Sequence, residues 1–127
     1  MRRIAISAEN VTAVATLDDS TTADGVWEAL PLKAEGHRWG EEIYFEIPVQ
    51  LAQSAEARDV LDAGELGYWP VGHAFCIFWG PTPASRGDEI RAYSPVNVFG
   101  RLEGDPRAFQ GVRGGARIGV ERIMQDI

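Results

Sequence analysis

The run GELGYWPVGHAFCIFWGPTP, residues 64–83, decides how this chain folds. Its centre, Ala74 to Trp79, is apolar at all six positions, too short for a buried helix and right for a buried strand. Tyr68-Trp69-Pro70-Val71-Gly72 leads into it and Gly80-Pro81-Thr82-Pro83 leads out. Proline and glycine at both ends supply turn dihedrals and stop the strand. Aromatics stand at both borders, so the strand is expected to line a barrel or one wall of a binding cleft.

Toward the N-terminus, WGEEIYFEIPV (39–49) alternates with period two. Trp39, Glu41, Ile43, Phe45 and Ile47 share one face, and Glu42, Tyr44 and Glu46 share the other. This parity puts Glu41 with the hydrophobic set and Glu42 on the surface, unless strand twist or a bulge at Gly40 exchanges them. Further out, Arg3–Ser7 and Val11–Leu17 alternate on either side of Glu9-Asn10 and read as a hairpin. A polar cluster, 18–22, then opens a short helix over Thr22–Leu30, with Thr21 and Asp24 spaced as a capping box and Pro31 ending it. Residues 33–38 are polar and read as an edge or loop.

Toward the C-terminus, Pro95–Leu102 and Ala116–Ile123 are further apolar strands. Residues 54–61 and Asp105–Phe109 are expected to hold single helical turns. Seven or eight short strands with one clear helix predict a mostly β domain, an antiparallel sandwich or closed barrel.

The 127 residues make one domain large enough to bury a core without staples. A net charge of −7, with basic residues scattered, argues against nucleic acid and anionic membranes as partners. One cysteine excludes an internal disulfide and points to a reducing, cytoplasmic setting. No apolar run approaches the ~18 residues of a membrane helix. His37 and His73 have no second ligand at metal-binding spacing, so no metal and no cofactor is expected.

Three blocks, WGEEIYF (39–45), residues 64–83 and SPVNVFG (94–100), together resemble a cyclophilin-like family of small bacterial and archaeal proteins. The resemblance runs over nearly the whole chain. It implies a closed eight-stranded antiparallel barrel with helices capping its ends. Peptidyl-prolyl isomerases of this fold carry an arginine on one strand and a glutamine on the next, both on the outer barrel face. The matching strands here, Glu42–Phe45 and Phe75–Trp79, have neither. The electrostatic aid that the arginine gives a twisting amide is therefore missing.

Glu41 is the leading candidate for chemistry, as a general base or as an anchor for a cationic or amide ligand. Trp39, Tyr44, Tyr68, Trp69 and Trp79 are candidate pocket walls, although aromatics at such positions are more often simply core. Thr82 and Asn97 are candidate polar contacts, and Asn97, amid an apolar strand, needs partners if buried. Cys76 reads as a small hydrophobe. Together these features favour a binding module for a small molecule or short peptide. An enzyme is the alternative, either a residual prolyl isomerase or an amide-handling activity using Glu41. A third reading is a subunit of a homo-oligomer or larger assembly, its acidic Glu42-Tyr44-Glu46 face meeting a basic partner.

Overall fold

The computed structural model describes residues 1–124. Strands β1 (Arg3–Ala8) and β2 (Val11–Leu17) form the expected hairpin, turning at Glu9 and Asn10 with Glu9 in the left-handed region (φ 55°). Ile4, Ile6 and Ala8 alternate inward and are fully buried. Helix α1 (Thr21–Ala29) follows. Its cap is Ser20, one residue ahead of the expected box, whose hydroxyl accepts the Ala23 N–H at 3.1 Å. A short hydroxyl side chain at this position satisfies an otherwise orphaned first-turn donor.

The remaining strands are β3 (Leu32–Glu35), β4 (His37–Arg38), β5 (Glu42–Glu46), β6 (Arg58–Leu61), β7 (Glu65–Trp69), β8 (Ala74–Phe78), β9 (Ile90–Leu102) and β10 (Arg117–Ile123). The main sheet runs β3-β10-β1-β2-β9-β7-β8-β5-β4, with β6 pairing β9 off this path, and each pairing is antiparallel. Ten strands among the described residues replace the expected seven or eight, because polar residues 33–38 and 58–61 pair at edges despite weak apolar patterning. Residues 58–61 are thus a strand where a helical turn was expected. Asp105–Phe109 holds a turn, as expected, with the Ala108 N–H bonded to the Asp105 carbonyl at 3.2 Å, and further turns carry the chain to residue 112.

The sheet wraps around one core. Ile6, Ala15, Phe45, Leu66, Phe75, Ile77, Phe99 and Val120, from strands all along the path, belong to a single buried cluster. Hydrogen bonds among the described residues do not close the ring, since the path ends at β3 and β4, which Gly36 joins in sequence. The expectation of a closed barrel is therefore met in shape of packing and not in hydrogen bonding. Gly36 is tied instead to the start of β10, donating to the Ala116 carbonyl and accepting from the Gly115 N–H, each at 2.8 Å.

The opening stretch places two features outside this core. All five residues of β8 are buried, so its outward residues Ala74, Cys76 and Phe78 need a second cover. Leu61 of β6 and Ala92 and Val96 of β9 provide it, forming a smaller cluster on the outer face of the sheet. The close approach depends on Gly67 in β7, where a Cβ would stand 2.6 Å from Val96 Cγ2. A residue without a side chain lets the Val96 side chain lie against the β7 backbone.

Candidate functional site

A small pocket of about 110 Å³ opens beside this outer cluster. From β5 it takes Glu42 and Tyr44, from β8 Cys76, from β7 Trp69, and from β9 Ala92, Tyr93 and Val96, with Trp39 closing one side. Strand register explains the grouping, because Tyr44 lies opposite Cys76 across the β5–β8 ladder. Successive aromatic rings meet edge to face: Tyr44–Trp69 at 6.5 Å and 77°, Trp69–Tyr93 at 5.8 Å and 74°, Trp39–Tyr93 at 6.1 Å and 66°. Trp69 is held by its indole N–H, which donates to Ser94 Oγ at 2.6 Å. Tyr93 is largely exposed and forms the rim.

Glu42 is the one acidic group on this wall among the described residues. It is 5% exposed, and its Oε1 is buried with no hydrogen-bond partner. Burial penalises the charged form and pushes its carboxyl up to about 7, against a smaller opposing pull from the Cys76 thiol. Burial and the neighbouring Glu42 push the Cys76 thiol well above its ordinary value, so it is protonated at neutral pH and no nucleophile.

Glu65 shows the opposite solution. It is also 5% exposed. Burial raises its carboxyl, but two hydrogen bonds from Arg58, at 3.0 and 2.7 Å, and one from the Asp62 N–H at 2.7 Å bring it below the usual range. A buried carboxylate with a guanidinium is a satisfied structural group; Glu42 has none.

The structure reverses the expected roles of Glu41 and Glu42. Gly40 adopts φ +61°, and a Cβ there would lie 2.8 Å from Thr82 Cα. The chain doubles at this point, with the Trp39 N–H bonded to the Glu42 carbonyl at 3.0 Å. Strand β5 starts only at Glu42, so the parity that linked Glu41 to Ile43 does not extend back to it. Glu41 is half-exposed and its Oε2 accepts from Trp79 Nε1 and, at 3.2 Å, from Arg38. Glu42 and Tyr44 do share a face with Glu46, as alternation requires; on it Glu42 is buried, Tyr44 half-buried and Glu46 exposed.

Of the other predicted site residues, Trp39, Tyr44 and Trp69 line the pocket. Tyr68 and Trp79 lie in the main core. The Tyr68 hydroxyl donates to the Val49 carbonyl at 2.6 Å and accepts from the Leu51 N–H at 3.2 Å. Thr82 organises its own loop, donating to the Arg91 carbonyl and accepting from the Ala84 N–H. Asn97 is a latch: it donates to Thr22 Oγ1 at 3.2 Å and the Ala52 carbonyl at 3.0 Å, and accepts from the Ser54 N–H at 2.8 Å. Sequence reasoning missed Cys76, Ala92, Tyr93 and Val96 as pocket residues, and admitted Glu42 only through a twist or bulge at Gly40. One signal was available, since a strand apolar on both faces needs a cover on its outer side, which also buries the neighbouring Glu42. Among the described residues no group of three or more His, Cys, Asp or Glu side chains is placed to hold a metal ion. No described helix is long and apolar enough to cross a membrane.

An antiparallel sheet wrapped around one core, with an aromatic pocket on its outer face, defines a small barrel-like domain of the kind the sequence blocks resembled. The chain belongs to the cyclophilin-like family, whose model matches residues 2–121. It is similar to the solution structure of the hypothetical protein AF2241 from Archaeoglobus fulgidus. That likeness has a TM-score of 0.83 and 36% identity, and it covers 96% of this chain and 95% of the other. No match is found among curated proteins.

Proposed function

We propose that this domain is a binding module that takes a small molecule or short peptide into the outer-face pocket between Trp39, Glu42, Trp69 and Tyr93. The observation that carries this reading is the buried, unpartnered Oε1 of Glu42 on an otherwise apolar wall. A concave apolar site with one precisely oriented polar group is the usual form of a ligand pocket. Leaving a buried acceptor without a donor costs about 1–3 kcal/mol, which an occupant supplying that donor recovers. A thermal-shift screen of small metabolites and proline-containing peptides is expected to give ligands that raise the melting temperature. Their binding should move the amide resonances of Tyr44, Trp69 and Tyr93. Hits that perturb only other regions of the molecule would overturn the assignment.

The resemblance implies that isomerases of this fold keep their arginine on the outer barrel face, and the outer-face pocket here is lined by an acid and a thiol. In a protease-coupled prolyl peptide assay the uncatalysed rate is therefore expected, and a rate far above it would exclude a purely binding role. One observation favours a second reading, general acid–base work on an amide. A carboxyl titrating at about 7 suits proton transfer near neutral pH, and it moves that role from Glu41 to Glu42. Hydrolysis of amide substrates that disappears in Glu42→Gln and persists in Glu41→Gln would establish it.

A further inference from the structure

We infer that the pocket selects a small organic cation bearing at least one N–H, a primary or secondary alkylammonium, which donates to Glu42 Oε1 and rests its alkyl part against the faces of Trp39, Trp69 and Tyr93. This rests on the binding reading above and names its ligand class. Three observations converge on it.

The first is the aromatic box. Trp39, Trp69 and Tyr93 line one pocket and meet edge to face, at 66° and 74°, rather than stacking on each other. Tryptophan and tyrosine faces attract cations, and boxes of such rings are a recurrent way of holding alkylated ammonium groups. The second is the orphaned acceptor, 5% exposed, which asks for an N–H or O–H donor that the protein does not provide. The third is the internal comparison. Glu65, equally buried, is satisfied by Arg58. Glu42 has no such partner: the titratable groups on its pocket wall are Tyr44 of β5, Cys76 of β8 and Tyr93 of β9, and no arginine, lysine or histidine of the described residues lines it. A cationic ligand would supply to Glu42 what Arg58 supplies to Glu65.

An ammonium is a compact point charge that carries its own N–H donors, which suits a single buried acceptor lining a small pocket. Anionic ligands are disfavoured by the same wall and by the net charge of −7. Because burial holds a proton on Glu42 up to about pH 7, a bound cation displaces that proton. Affinity should rise about tenfold per pH unit toward 7 and level off above it.

The test uses n-butylammonium, 1-butanol and tetramethylammonium as probes on the intact chain, by calorimetry and by amide resonance shifts. At about pH 8.5, n-butylammonium is expected to bind at least about tenfold more tightly than 1-butanol. Glu42→Gln should lose that advantage while retaining the alcohol, and Tyr93→Leu, altering an exposed rim residue, should weaken the amine. Below pH 7, calorimetry in buffers of different ionisation enthalpy should report one proton released on amine binding. If 1-butanol matches the amine, or Glu42→Gln holds the amine unchanged, the cation assignment fails while the pocket stands. Tetramethylammonium binding as tightly as n-butylammonium overturns the N–H requirement. If no probe moves the Tyr44, Trp69 or Tyr93 resonances, both this assignment and the pocket reading fall.

Discussion

Two carboxylates, each 5% exposed, face burial with different partners, and their substitutions should act in opposite directions. Glu42 has its pKa raised from an ordinary 4.5 to about 7. The folded state therefore binds the proton more tightly than the unfolded chain, and the stability associated with that proton is fully present only below the unfolded value. It is lost as pH rises toward and past 7. Glu42→Gln, which is neutral at any pH, is expected to stabilise the protein at pH 8 by on the order of 3 kcal/mol, an advantage that shrinks to under about 1 kcal/mol at pH 5. Denaturant unfolding at the two pH values measures this, and equal effects at both would show that Glu42 is not buried as an acid. Glu65→Gln removes the anion beneath Arg58 and should destabilise at neutral pH by about 2 kcal/mol. The Glu65 carboxyl is held below its usual range, so its contribution is present above the unfolded pKa and fades as pH falls through the lower, folded value. An acid titration of Glu65→Gln against the parent should see the two stabilities converge.

At the scale of single elements, the β7–β8 hairpin sets the pocket through its glycines. Gly72 lies against Trp69, where a Cβ would be 2.5 Å from two ring carbons. Those are fixed aromatic atoms rather than the end of a flexible chain, so Gly72→Ala should push the indole toward Tyr93 and Tyr44. Binding is expected to drop by about tenfold or more while the far hairpin, β1–β2, keeps its resonance positions. Wild-type affinity in this variant would mean that Trp69 is not a fixed wall. The hairpin itself was legible in residues 64–83, because proline and glycine bracket an apolar run that admits only a short strand. Helix α1 was legible for a similar local reason, polar caps at one end and Pro31 at the other. Strand β6 was not, and residues 33–38 left edge and loop both open. These residues carry little apolar signal: β4 pairs with nearby Ile43 and Tyr44 at the end of the sheet, while the pairing of β6 is decided by Ile90, Arg91 and Val96, which lie well apart in sequence. The site was legible in part on the same terms. Trp39, Tyr44 and Trp69 announced themselves as aromatics near the hairpin, whereas the choice between Glu41 and Glu42 turned on one glycine dihedral at Gly40. Period-two reasoning is reliable within a strand and silent on where the strand begins.

Across the whole molecule, β9 couples the two clusters. Its first half covers the outer face of β8 and walls the pocket, and its second half pairs β7 and β2 over the main core. Asn97 sits where the halves meet and ties the strand to α1 and to the 52–54 segment. Asn97→Ala removes three hydrogen bonds, to buried Thr22, to the Ala52 carbonyl and from the half-buried Ser54 amide, and should cost about 2 kcal/mol, with the Ser54 amide exchanging much faster with solvent. Unchanged exchange there would show that the segment is held by other contacts. The four tryptophans are distributed in a way that has a practical consequence. Trp39 and Trp69 line the pocket, Trp79 is sealed in the core, and Trp27 lies beneath the guanidinium groups of Arg2 and Arg122. The molecule thus contains its own optical gauge: in a Trp27→Phe background the remaining emission divides into a sealed reference and two indoles that report directly on whether the cavity is filled.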